Sequence, residues 1–446
     1  MTAVPLLGHA SLDAIFAWRP DGPVSVRRFL AEAHALAARL PPGRHLLNVC
    51  QDRYRFAVGF AAGLLDGRTS LQPASQSAAT LRDIERQWPD LCCLCDGPFD
   101  SLDLPRLDYP ADLAADPASV SAIPAIAAEQ VAARLFTSGS TGTPMPHDKT
   151  WGRLVRNGRA EAERLGLSAR PHAIVGTVPV QHAFGFESTF LLALHGGSPF
   201  WSGKPFYPQD IVAALEAVPQ PRLLVTTPFH LGALLAAEIP LPPVDLLLSA
   251  TAPLSAELAA RAEERLAAPL LEIFGSTESC QIASRRPTAS QAWHLLPDLR
   301  LRQDGEWTTV SGGHVEGEVT LSDLIELLPG DRFMLHGRHA DLVNIAGKRT
   351  SLAYLNHQAT AIPGVVDAAF FLPEESIDGV TRLCAFVVAP ALEARAVQAA
   401  LRERIDAIFL PRPLVLVDRL PRNSTGKLPR TDLQALYAAK VGHGRR

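Results

Sequence analysis

Short apolar runs bounded by turn residues alternate along this chain with stretches of helical periodicity, and no other feature narrows its fold so far. Between Ser25 and Asp96 the pattern predicts a helix over Val26 to Leu40, a strand over His45 to Cys50 and a helix over Tyr54 to Leu65. A strand over Thr69 to Pro73, a helix over Ala78 to Trp88 and a strand over Leu91 to Cys95 follow. Strands this uniformly apolar are covered on both faces, which is the signature of a parallel sheet flanked by helices. A second block repeats the alternation from His172 to Phe274, with strands at Ala173 to Val178, Arg222 to Thr226, Asp245 to Ser249 and Leu270 to Phe274. Helices are expected between them at Glu187 to Leu194, Ile211 to Ala217 and Ala256 to Leu266.

The 446 residues exceed what one core organises. Phe99 to Ala128, rich in Pro, Asp and Ala, reads as a connector, and Trp307 to Asp341 as a Gly-rich β subdomain ending in a hinge. Strands at Asp367 to Leu372, Arg382 to Val388 and Leu414 to Val417, with a helix over Ala396 to Ile408, make a compact unit of about a hundred residues. The expected fold is α/β: a large N-terminal domain, residues 1–338, of mixed and parallel sheets with helices and a β subdomain, and a small C-terminal α+β domain, residues 339–446.

Within this frame the run LFTSGSTGTP places Thr137, Ser138, Gly139, Ser140, Thr141 and Gly142 directly after an expected strand, Val131 to Phe136, and before an expected helix, Lys149 to Leu165. Glycines let consecutive N–H groups curl inward and the hydroxyls add donors without bulk, so the segment suits phosphate. It is not a Walker loop, because Thr143, Pro144 and Met145 stand where Lys and Ser or Thr would follow the last glycine.

Composition excludes several function classes. With 42 basic and 46 acidic residues the net charge is −4, so no global field favours nucleic acid or anionic membrane. No stretch reaches the roughly 20 apolar residues of a membrane span, and the start lacks a basic leader, which predicts a cytoplasmic protein. Of the six cysteines, Cys92, Cys93 and Cys95 fall in LCCLC, which reads as a buried strand, with no second ligand pair at zinc spacing.

Three further segments accompany the Gly-rich run: LEIFGSTE ending at Glu278, LSDL from Leu321 followed by LHGRHAD from Leu335, and PRNSTGKLPR from Pro421. Together, and in this order, the four resemble the signature motifs of the adenylate-forming enzymes, the superfamily of acyl- and aryl-CoA synthetases and adenylation domains. The resemblance spans nearly the whole chain, with an N-terminal part shorter than usual. It implies a C-terminal domain that swings between two half-reactions. It further implies that ATP contacts Thr137 to Gly142, the loop Ala250, Thr251 and Ala252, and Glu272, Ile273, Phe274, Gly275, Ser276 and Thr277. Phe274 would stack on adenine, Thr277 would touch the α-phosphate, Glu278 would hold Mg²⁺, and Asp323 and Arg338 would bind the ribose. Lys427 would be the lysine that catalyses adenylation, and Gly347 the glycine past which a pantetheine arm reaches the site.

Two departures stand out. Met145 takes the place of the usual loop lysine, leaving His147 or Lys149 as replacements, and Ala340 occupies a hinge position often filled by Asp or Lys. A turn, His182-Ala-Phe-Gly-Phe-Glu187, resembles the edge of the family's acyl pocket. There His182, Phe184 and Phe186 would line a short slot, with Thr226, Thr227, Ser249 to Ala252 and Gly275 around it. The text as a whole resembles a compact subgroup tied to xanthomonadin-type aryl-polyene pigments. That implies a small aryl acid, 3- or 4-hydroxybenzoate, as substrate, and an acyl carrier protein or CoA as acceptor. Competing readings are a medium-chain acyl-CoA synthetase, an amino-acid adenylating enzyme, and a nucleotide-binding regulatory protein without catalysis.

Overall fold

The computed structural model describes residues 2–73, 75–99, 102–138, 144–345, 348–373, 383–422 and 428–441, with the backbone alone at Ser138, Pro144, Arg338, Ala340, Asn344 and Arg349. The first alternating block builds a six-stranded sheet in the order Pro144–Thr150, Val131–Ser138, Thr69–Gln72, His45–Asn48, Leu91–Cys95, Arg106–Asp108. All neighbours are parallel except the first pair. Helices start where a polar side chain satisfies a free N–H of the first turn. Ser25 caps Val26–Ala37, Asp52 caps Arg53–Leu65 and Ser77 caps Ala78–Gln87. Arg53–Leu65 is apolar on nearly every face because it is sandwiched: Phe56 and Phe60 pack against Phe190, and Phe60 also against Phe186.

The second block builds an eleven-stranded sheet. Its parallel centre runs Leu270–Ser276, Leu246–Ser249, Arg222–Thr226, Ala173–Gly176, Phe200–Trp201, Ile15–Arg19. Beyond Leu270–Ser276 the sheet turns antiparallel through Cys280–Arg285, Trp293–Leu295, Arg332–Arg338 and Asp323–Leu327. Leu299–Asp304, Trp307–Gly312 and Glu318–Leu321 form a separate meander. C-terminal to these, Leu342–Ile345 pairs with Lys348–Ser351, and Asp367–Phe371, Cys384–Val388 and Leu414–Leu416 form a three-stranded sheet. The core residues divide accordingly, into clusters drawn from Leu6 to Phe333 and clusters drawn from Val343 to Leu433.

Several sequence expectations need correction. The Gly-rich run does not lead into a helix: Pro144–Thr150 is a strand antiparallel to Val131–Ser138, and the helix Trp151–Arg164 begins only after it. Met145, His147 and Lys149 share one face of this strand, which passes from exposed through half-buried to buried, while Pro146 and Asp148 on the other face stay exposed. The expected helix Glu187 to Leu194 is a π-helical turn, Phe186–Leu191, running into Leu192–Gly196. Helices Pro228–Ala236, Leu352–Thr360 and Arg430–Lys440 were not legible; the first is apolar all round and so carries no period. All six cysteines are buried free thiols, and Cys92, Cys93 and Cys95 lie in the buried strand that LCCLC suggested. Among the described residues no helix is long and apolar enough to cross a membrane.

Candidate active site

Ligands of open α/β sheets settle at the carboxyl ends of the parallel strands. Here those ends carry the expected residues. Thr226 pairs with Ser249, and Ser249 with Glu272, two residues before Phe274. Phe274, Gly275 and Ser276 finish the last parallel strand, and Thr277 and Glu278 form the turn that reverses into Cys280–Arg285.

The turn is held from within. Ser276 and Ser279 exchange hydrogen bonds, Ser276 N–H donating to Ser279 Oγ at 3.3 Å and Ser279 N–H to Ser276 Oγ at 3.2 Å. Gly275 sits at a bulge where an added Cβ would lie 2.3 Å from the Cys280 carbonyl oxygen, so the tight hairpin itself demands glycine. Phe274 is half-buried, with Trp293 at 5.6 Å and Phe333 at 5.9 Å between ring centroids. Two rings thus buttress the one expected to meet adenine. Thr251, beside Ala250 and Ala252, is held at φ 82°. For a β-branched residue this left-handed backbone costs roughly 1–3 kcal/mol, and such strain gathers at ligand sites.

The Gly-rich run reaches this turn through two side chains. His147 Nε2 lies 2.9 Å from Thr137 Oγ1 and 4.0 Å from a Glu278 carboxylate oxygen, making a line from the first strand of the loop to the expected metal ligand. Burial holds the His147 pKa below 6.5, outweighing the pull of Glu278, so the ring is largely neutral at pH 7. Lys149 cannot serve as the phosphate-loop cation. Its side chain is buried, at 2% exposure, and its ammonium donates to the Glu278 carbonyl at 2.7 Å. Behind it lies a network that sequence reasoning missed: Gln281 N–H donates to Glu187 at 2.9 Å, and Gln281 Nε2 donates to Glu161 at 2.7 Å and to Asn157 at 2.9 Å. Burial raises Glu187 to about 7 and Glu161 to about 8. A lysine at period-two spacing with two glutamates on the facing helices was the available signal.

Asp323 and Arg338 are cross-strand partners, with Asp323 9% exposed, so the two residues expected at the ribose do share one hairpin. Glu272 is committed elsewhere: its carboxylate takes Arg285 Nε at 2.7 Å and the Leu254 N–H at 3.2 Å. Ile273 is core. Phe186, expected to line the acyl slot, is instead fully buried on Phe60 and Phe190, because the π-helical turn points it into the first sheet's helix layer. His182 caps that segment, accepting the Phe184 N–H at Nδ1. Gly139, Ser140, Thr141, Gly142, Gly347 and Lys427 lie outside the described residues. Among those described, no group of His, Cys, Asp and Glu suits a protein-only metal cage. Glu278 fits a different kind of site: its carboxylate is 40% exposed, with the half-buried His147 imidazole 4.0 Å away. Mg²⁺ is commonly held by one or two carboxylates plus substrate phosphates.

Comparison with known proteins gives the chain a family and a fold. Residues 54–314 match the AMP-binding enzyme family and residues 357–427 its C-terminal domain. The chain is 32% identical over 278 residues to a 4-coumarate–CoA ligase of Rhodobacter capsulatus, covering 61% of this chain and 67% of that one. It is 26% identical over 393 residues to a salicylyl-CoA synthase / salicylate adenylyltransferase of a Streptomyces species, covering 77% and 69%. In fold it is similar to ATP-bound MatB from Rhodopseudomonas palustris, with a TM-score of 0.82 at 19% identity over 96% of each chain. It is also similar to the o-succinylbenzoate CoA synthetase of Bacillus subtilis in complex with its acyl-adenylate, with a TM-score of 0.80 at 19% identity over 97% and 99%.

Proposed function

This chain belongs to the AMP-binding enzyme family, and from that premise we propose that it is an acid–thiol ligase that adenylates a small aryl acid, 3- or 4-hydroxybenzoate, and passes the acyl group to a pantetheine thiol. A carboxylate is a poor electrophile because its oxygen leaves badly. Its attack on the α-phosphorus of ATP expels pyrophosphate and converts that oxygen into part of a good leaving group, AMP. The thiol of CoA or of an acyl carrier protein then displaces AMP.

The observation that carries the reading is the line Thr137–His147–Glu278, which brings the Gly-rich run and the second motif together although 141 positions separate their end residues. Glu278 would hold Mg²⁺, which when bound neutralises phosphate charge. His147, largely neutral, orients Thr137 and Glu278 rather than supplying charge. The buttressed Phe274 offers its free side to a base, and Asp323 with Arg338 would meet the ribose. Lys427 is assigned the cation between the two reacting anions, where a preorganised charge is worth most. We place the division between the adenylate-binding domain and the lid at residues 338 and 339, where the core clusters separate.

The aryl reading is supported by the substrates in the names of several relatives, coumarate, salicylate and 4-chlorobenzoate. Loading assays with one hydroxybenzoate, ATP, and either CoA or a carrier protein test the acceptor: thioester on either one upholds the proposal. Adenylate formed but discharged onto neither thiol would overturn the ligase half of it.

A further inference from the structure

At the carboxyl ends of three adjacent parallel strands lies a patch of buried hydroxyls and one imidazole that the nucleotide motifs leave unused. Thr177 follows Ala173–Gly176, Thr226 ends Arg222–Thr226, Ser249 ends Leu246–Ser249, and Thr227 caps the helix Pro228–Ala236, which carries His230. The four hydroxyl residues are at most 1% exposed and His230 is 3% exposed.

The hydrogen bonds fix what this patch lacks. Thr177 Oγ1 donates to Thr226 Oγ1 at 3.2 Å. His230 Nδ1 lies 3.0 Å from Thr177 Oγ1 and 3.1 Å from Thr227 Oγ1. The two hydroxyls thus engage one ring nitrogen and leave Nε2 to a further partner, and burial lowers the pKa of the ring below 6.5, which keeps it neutral. Among the described residues neither His230 Nε2 nor Ser249 Oγ has a partner. Leaving buried polar groups unpaired costs about 1–3 kcal/mol each, so their persistence points to a group supplied from outside the chain.

The position fits the acid rather than the nucleotide. Three strand steps of about 4.8 Å separate the Thr177 strand from the Phe274 strand, roughly 14 Å, which leaves room for one ring and its carboxylate between the patch and the nucleotide motifs. Partly exposed rings flank the imidazole, Phe206 at 5.0 Å and Phe229 at 5.5 Å between centroids.

We propose that His230 is the specificity-determining residue of this enzyme, its Nε2 sharing a hydrogen bond with a hydroxyl or amino substituent on the ring of the acid, with Ser249 Oγ completing the polar contact. The inference rests on the aryl-acid reading above. It explains selection by a hydrogen-bonding substituent: an isosteric fluoro acid has no proton and is a poor acceptor, so it leaves Nε2 buried and unpaired, whereas a hydroxyl, which both donates and accepts, satisfies it.

The test is ATP–pyrophosphate exchange with hydroxy-, amino- and fluorobenzoates substituted at the same ring position. The wild-type protein should favour the hydroxy or amino acid over the fluoro acid by at least about tenfold in kcat/KM. His230→Leu should bring that ratio to one or below while still using the fluoro acid, and His230→Gln, which keeps an acceptor, should retain most of it. Equal use of hydroxy and fluoro acids by the wild type, or an undiminished ratio in His230→Leu, overturns the proposal while leaving the aryl reading intact. Exchange with no benzoate at all overturns both. Should His230→Leu fail to melt cooperatively, His230→Phe decides by the same ratio, since it keeps a ring at the position and removes both nitrogens: a fall supports the assignment and an unchanged ratio refutes it.

Discussion

Replacing Lys149 by Met keeps the aliphatic stem and deletes the ammonium that holds the Glu278 turn. The structure sets the size of the effect. The bond from Lys149 Nζ to the Glu278 carbonyl is 2.7 Å long and the side chain is 2% exposed, so a charge-assisted bond of about 1.5–3 kcal/mol is lost with little solvent to replace it. The same ammonium lowers the pKa of the buried Glu187, and without it that carboxyl moves further up from about 7. Glu187 then takes a proton at neutral pH instead of standing as an unpaired buried charge, which keeps the penalty below the roughly 3–5 kcal/mol of a broken buried ion pair. A net loss of about 2–3 kcal/mol, over a large domain whose unfolding entropy is about 0.7 kcal/mol/K, lowers its Tm by roughly 3–4 °C. The turn that carries Glu278 also loosens, so the Mg²⁺ concentration for half-maximal pyrophosphate exchange should rise several-fold. Scanning calorimetry and a Mg²⁺ titration read the two effects. A Tm within 1 °C of wild type together with an unchanged Mg²⁺ requirement would refute the role given to Lys149.

Gly275→Ala forces a Cβ to within 2.3 Å of the Cys280 carbonyl. The hairpin must open, and both soluble yield and exchange activity should fall, with a loss of at least about 1–3 kcal/mol in a denaturant melt. Lys427→Ala should slow exchange by about a hundredfold or more, equivalent to about 3 kcal/mol, while ATP binding measured by calorimetry persists. Glu161 gives a pH test. Burial raises its carboxyl from 4.5 to about 8, so the folded protein keeps a proton that the unfolded chain has released. The stability tied to this group is full below about pH 4.5 and is lost as pH rises through about 8. Glu161→Gln should therefore gain at least about 1 kcal/mol over wild type at pH 9 in urea unfolding, and no such gain at pH 5.

Much of the fold could be read from the chain because its strands are short, apolar and separated by amphipathic helices, so periods of 2 and 3.6 are distinct. Ala256–Leu266 was read to the residue for that reason. Where burial is uniform the period vanishes, and Pro228–Ala236 was missed, and with it His230. The motifs marked Thr137, Phe274, Thr277, Glu278, Asp323 and Arg338 as candidates, and the fold sets Thr137 on the first sheet and the others on the second or in the turn that follows its strand Leu270–Ser276. What the motifs left out is tertiary. Lys149 reads on paper as a free cation near a phosphate loop, but it shares a strand face with His147 and lies two residues further from the loop, where that face is buried and the ammonium meets the Glu278 carbonyl. Phe186 reads as a pocket wall, but a π-helical turn rotates it into the core. Neither the register of a hairpin nor the pitch of one helical turn is written in local composition.

Formation of an acyl-adenylate from an aryl acid is read by isotope exchange between pyrophosphate and ATP across a panel of benzoates, fatty acids and amino acids, with the AMP ester identified by mass spectrometry. Exchange should depend on a hydroxybenzoate and be accompanied by its adenylate. Exchange driven only by fatty acids or amino acids, or by no acid at all, would contradict the aryl-acid reading.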